Sequence, residues 1–155
     1  MSSPSGERVA SSASPLRHWE LYTLVVVLLI AAGLRLVGLS DVPPGLRYDE
    51  LLNFRMAERV LAGERPLYFV GPLDWGHEPL FHYSQAAAMA LFGKCDWSLR
   101  LPSALYGLAG VLTAWLAARR LFGPRVAILT SATLAISFWS VFFSREGLRI
   151  LTVTP

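Results

Sequence analysis

The chain has 155 residues, 54% of them hydrophobic and only 16% charged, with a formal net charge of +3. A soluble domain runs about 45–50% apolar and about 25% charged, so an ordinary soluble protein is excluded, and so is disorder over most of the length. Cys95 is the single cysteine, which excludes a disulfide scaffold, and the arginines flank long apolar blocks instead of forming a nucleic-acid patch.

Residues 1–17, rich in Ser, Pro and Ala, read as a disordered cytoplasmic tail. The first apolar block, Trp19–Leu39, is long enough to cross a hydrocarbon core of about 30 Å, which takes roughly 20 residues of helix. Arg17 and His18 in front of it look like the basic start of a signal peptide. No small-x-small cleavage site follows, so the block reads as an uncleaved anchor.

A long loop, residues 40–98, comes next. Asp41-Val42-Pro43-Pro44-Gly45 is turn chemistry. Arg47-Tyr48-Asp49-Glu50 then opens an amphipathic helix with Leu52, Met56, Arg59 and Val60 on one face and Gly63 as its stop. Such a helix beside a membrane is expected to lie along the interface. The stretch from Gly63 to Gly76 is irregular. Pro79–Phe92 is apolar but too short to cross, and it carries His82 and Gln85. It reads as a helix that lies on the membrane surface or folds into the protein, with Pro79 in its first turn.

Two further blocks qualify as spans, Leu99–Leu121 and Val126–Phe143. Arg8 and Arg17 precede the first span, and Arg119, Arg120 and Arg125 lie between the second and third. Positive charge favours the cytoplasm, which puts the N-terminus inside the plasma membrane and the long loop outside. A fourth crossing at residues 79–93 would turn Arg119, Arg120 and Arg125 outward, against that rule. The expected fold is an all-α membrane protein with three transmembrane helices and juxtamembrane amphipathic helices in the outer loop.

Four stretches in this order and spacing, RLVGLSDVPPGLRYDE, GERPLY, HEPLFHY and SLRLPSALYGLAG, carry a resemblance. The region from Leu21 to Arg149 resembles the N-terminal part of the GT-C glycosyltransferases, in the branch of the protein O-mannosyltransferases and the lipid A aminoarabinose transferases. The resemblance implies transfer of a sugar, with inversion, from a polyprenyl-phosphate donor to a protein, lipid or glycan acceptor on the outer membrane face. It places the essential acid of the first outer loop at Asp49, with Glu50 beside it. It requires no cofactor and leaves room for a divalent metal. The implied partners are the lipid-linked donor and membrane lipids, and no nucleic acid.

The chemistry asks for the same groups. Displacing a polyprenyl phosphate by a hydroxyl needs a base on the acceptor and cationic donors on the departing phosphate. Asp49 is the candidate base and Glu50 its helper. Arg35, Arg100, Arg145 and Arg149, near the outer ends of spans, are candidates for the phosphate, and His77 and Glu78 for substrate contact. Each also has a plainer reading. Asp49 suits a helix N-cap and Glu50 a first-turn acid facing the helix dipole. Arg35 and Arg100 suit snorkelling to the headgroups. His77 and Glu78 form a metal pair too small for a closed site. Trp75, Trp97 and Tyr83 suit sugar stacking or ordinary interfacial anchoring. His82 suits a hydrogen bond within the fold, and Cys95 has no role.

The chain departs from the family in one place. The family often follows the Arg145–Arg149 region with a second Asp, whereas here the sequence runs Ile150-Leu151-Thr152-Val153-Thr154 and Glu146 is the nearby carboxylate. Three spans hardly enclose a donor and an acceptor, so the chain is expected to be the front of a longer enzyme and inactive alone. The competing classes are a non-catalytic membrane subunit or truncated relic that acts by protein contact, and a transporter fragment with Arg35 and Arg149 on an anion path. The long loop speaks against the transporter. Arginine-heavy, lysine-poor usage points to a GC-rich bacterium.

Overall fold

The computed structural model describes residues 17–70 and 76–147. Six helices follow in order: α1 (His18–Leu36), α2 (Tyr48–Leu61), α3 (Pro79–Phe92), α4 (Asp96–Phe122), α5 (Pro124–Ile136) and α6 (Phe138–Arg145). Between α2 and α3 a two-residue antiparallel ladder pairs Phe69 with His77 and Val70 with Gly76. α1 and α4 are each long and apolar enough to cross a membrane, and α5 with α6 forms a third such segment bent by 55°. The chain is an all-α membrane protein.

Local chemistry sets the boundaries. α1 is an apolar run without proline. It ends where Val37 turns extended and Gly38 takes a φ of 62°. Gly123, at a φ of 89°, and Pro124 at the first position of α5 make the tight turn out of α4. At the head of α4 the Ser98 hydroxyl accepts the Cys95 N–H at 3.2 Å, which fixes the entry to the helix.

The spanning helices meet through small residues. Val27 and Ala31 of α1 pack on Val111 of α4 and Ala135 of α5, and farther along Trp115, Ala118 and Ala127 pack with Leu24. Lipid offers no hydrophobic drive for helix association, so close backbone approach and its dispersion gain do the work. Glu20 and Arg119 pair at 2.7 Å and tie the start of α1 to the end of α4, so the two helices run antiparallel. The closest crossing is at Gly107. A Cβ there would overlap the Ser144 hydroxyl, come within 2.8 Å of the Ser144 Cβ and lie 3.2 Å from Arg35 Nε. Gly107→Ala is therefore expected to destabilise the chain by about 1–3 kcal/mol, read as a lowered unfolding midpoint in detergent micelles. An unchanged midpoint would mean that α4 and α6 separate freely.

One expectation is corrected here. The third span is not one continuous helix over 126–143, because it breaks at Ser137, whose backbone is at φ −58°, ψ 125°. Part of the apolar face of α2 packs on the protein itself. Ala57, with Phe54 and Val60, is packed against Ala86 and Met89 of α3 and Leu99 of α4. α3 itself is folded into the protein, with Phe81, His82, Gln85, Ala86 and Met89 buried.

Candidate active site at the loop end of the bundle

The proline-rich turn after α1 and the start of α2 converge on one guanidinium in the first turns of α4. Arg100 is fully buried and uses all five of its N–H groups. Nε and Nη2 hold the two carboxylate oxygens of Glu50 at 2.8 and 3.1 Å. Nη1 donates to the carbonyls of Leu39 and Pro43 at 3.2 and 2.9 Å, and Nη2 also to that of Gly45 at 2.6 Å. The turn from Leu39 to Gly45 is thus wound around Arg100, which supplies the donors that a tight proline turn lacks.

Glu50 is the other half of this centre. Besides Arg100 it accepts the Gly147 N–H at 2.9 Å on Oε1 and the Arg47 N–H at 3.1 Å on Oε2. Burial alone would raise its pKa. The hydrogen bonds from Arg100, Gly147 and Arg47 and the Arg100 charge outweigh burial and hold the carboxyl below the usual glutamate range. Asn53 completes the clasp on the Gly147 peptide by donating to its carbonyl at 2.7 Å. Gln85 donates to the Leu99 carbonyl at 3.0 Å, while its buried Oε1 has no hydrogen-bond partner among the described residues. The chain leaving α6 is therefore pinned to α2 beside the head of α4.

Glu146, one residue earlier, is buried and faces the guanidinium of Arg47 at 2.9 Å. Burial pushes its carboxyl up, Arg47 opposes that, and the nearby charges of Glu50 and Asp49 push it up further. Asp49 contrasts with both. It sits on the first turn of α2, is exposed, and has no hydrogen-bond partner among the described residues. Adjacent positions on a helix point about 100° apart, so Glu50 turns inward to Arg100 while Asp49 turns out. The carboxylate of Glu50 is engaged with Arg100, not with Asp49.

The remaining arginines have been put to architectural use. Arg35 is fully buried and also spends all five donors: on the Ser144 and Ser140 hydroxyls and on the carbonyls of Ala31, Ala135 and Leu134, at 2.8–3.2 Å. The carbonyls of Leu134 and Ala135 are the ones orphaned by the break at Ser137, so Arg35 caps the broken span. Arg145 returns the service to α1, donating to the carbonyls of Leu34, Val37, Gly38 and Val42. In this arrangement the donors of Arg35 and Arg100, both expected as phosphate ligands, are engaged within the protein.

Of the other candidates, Glu78 stands at the N-cap position of α3. The His77 backbone lies in the short ladder, while its side chain and Arg149 lie outside the described residues. Among the described residues no three His, Cys, Asp or Glu side chains converge as a metal cage would require. Sequence reasoning missed Asn53, Gln85 and the Arg47–Glu146 pair. The first two had a signal. Asn53 shares the buried face of Met56 and Ala57, and Gln85 shares that of Phe81 and Met89, so each is a polar residue on an apolar face.

The helical membrane bundle thus presents the exposed Asp49 at its loop end, on a frame braced by Arg35, Arg100 and Arg145. A family profile described as dolichyl-phosphate-mannose-protein mannosyltransferase matches residues 76–153, half of the chain. The chain belongs to that family. The matched stretch takes in α3 to α6, and Asp49 and Glu50 precede it. Comparisons with curated proteins and with solved structures gave no match.

Proposed function

We propose that this chain takes part in the inverting transfer of a sugar from a polyprenyl-phosphate donor to an acceptor hydroxyl at the outer face of the plasma membrane. In this reading the N-terminus is cytoplasmic and α2 and α3 are outside, in keeping with Arg119 and Arg120 in the last turn of α4 and Arg125 in the first turn of α5. The observation that carries the reading is the contrast between Asp49 and Glu50: a carboxylate that is exposed and unpaired among the described residues, on a backbone that its buried neighbour locks in place.

Asp49 takes the proton of the acceptor hydroxyl as the acceptor oxygen attacks the anomeric carbon. The bond from that carbon to the phosphate oxygen breaks, and the polyprenyl phosphate leaves with the electron pair. The step balances without a cofactor. Glu50 acts through position. It keeps the start of α2 fixed, while its paired carboxylate is a weak base.

Asp49→Asn in the full-length protein is expected to lower sugar transfer by about 10²–10⁴-fold with the unfolding midpoint unchanged. The assay is transfer from a polyprenyl-phosphate-linked sugar in proteoliposomes. Transfer at the wild-type rate would remove Asp49 as the base. Asp49 caps nothing and pairs with nothing among the described residues, so a folding defect does not compete as an explanation.

A further inference from the structure

The four arginines at the loop end divide by what they leave unused. Arg35 and Arg100 are buried and saturated, and Arg145 is engaged with four carbonyls. Arg47 is different. Its side chain is 58% exposed, one terminal nitrogen faces Glu146 at 2.9 Å, and its other donors have no partner among the described residues. Its backbone is nevertheless fixed, because its N–H is held by Glu50. A rigidly rooted guanidinium with a half-empty donor fork is suited to a phosphate, which accepts bidentate N–H pairs.

What lies beneath Arg47 narrows the kind of phosphate. The guanidinium carbon is 5.2 Å from the ring centroid of Phe142. That ring stacks on Phe138 at 5.6 Å and meets Trp139 edge-on at 6.2 Å. Phe138 and Trp139 are largely exposed, so an open aromatic track runs along α6 from the break at Ser137 to the cation. An apolar track that ends at a cation complements an amphiphile with a phosphate head on a hydrocarbon tail. A free phosphate would use the cation and ignore the track.

We propose that Arg47 binds the phosphate of a polyprenyl-phosphate lipid, with the first isoprene units lying along Phe138, Trp139 and Phe142. This rests on the donor class of the proposed function and adds the residue that holds its head. Glu146 parks the guanidinium over the track while no lipid is bound, and the arriving phosphate competes for the same fork. Asp49, two residues along, then stands next to the phosphate site at the start of the same helix.

The test is binding of undecaprenyl phosphate to the full-length protein in nanodiscs, followed by tryptophan fluorescence, with inorganic phosphate as the second probe. Arg47→Gln is expected to weaken lipid binding about tenfold, and Arg47→Lys, which keeps the charge but loses the fork, by less. Glu146→Gln, which releases Arg47, is expected to tighten binding about threefold. Arg55→Gln, at an exposed arginine on the same helix, is expected to leave it unchanged. Wild-type affinity in Arg47→Gln, or no tightening in Glu146→Gln, would overturn the assignment and leave the role of Asp49 standing. A wild-type protein that binds inorganic phosphate but not the lipid would overturn the aromatic track. One that binds neither would overturn the assignment and the donor class together.

Discussion

Arg100→Ala is expected to destabilise the folded chain by about 3–5 kcal/mol, the range for removing one partner of a buried ion pair. The loss has two parts. Glu50 would be left as a buried carboxylate without its bidentate partner, and the carbonyls of Leu39, Pro43 and Gly45 would lose their donor. The second part makes this pair unlike an isolated one. Replacing both partners of a buried ion pair by apolar residues is often neutral. Here Glu50→Leu combined with Arg100→Leu should not recover stability, because three carbonyls and the Gly147 N–H stay orphaned. Unfolding by sodium dodecyl sulfate in mixed micelles gives the comparison, and a double variant as stable as wild type would refute the shared-donor account. The pH dependence has a defined sign. The folded pKa of Glu50 lies below its unfolded value. Its contribution is therefore complete above the unfolded pKa and is lost as pH falls through the folded one.

Arg35→Leu should cost about 2–5 kcal/mol, since two buried carbonyls at roughly 1–3 kcal/mol each lose their only external donor. It should also alter the shape of the third span. With no guanidinium to hold Leu134 and Ala135, the cheapest way to satisfy their carbonyls is to continue the helix through Ser137. Spin labels at exposed Leu129 on α5 and Trp139 on α6 report this directly. The expected result is a shift of the distance distribution toward that of a straight helix in Arg35→Leu and a partial shift in Arg35→Lys. An unshifted distribution would place the cause of the bend elsewhere.

Much of this architecture could be read from the residues. Apolar run length gave α1 and α4, Pro79 marked the start of α3, and Gly63 follows the end of α2 in the left-handed conformation. The inward turn of Glu50 was also legible, since Glu50, Asn53 and Ala57 share one stripe of α2. The break at Ser137 was not. No proline or glycine stands there, and its main support is an arginine far away in sequence. The bonding of the arginines was hidden for a related reason. Most of their partners are backbone carbonyls, and a carbonyl carries no residue identity that a sequence can display. An arginine at the end of a span therefore looks the same whether it reaches lipid headgroups, substrate phosphate or the end of another helix.

Arg35 also constrains how the protein is made. The carbonyl of Ala135 that receives its guanidinium lies 100 residues downstream. At ribosomal rates of about 5–20 residues per second, α1 waits roughly 5–20 seconds before α5 exists. Through that interval Arg35, in the last turn of α1, has only the Ala31 carbonyl of its own helix among its final partners and reaches the headgroups by snorkelling. Four of its five final bonds form only when residues 134–144 reach it. Locking of the first helix into the bundle and closure of the third are in this sense one event, completed from the far end of the chain.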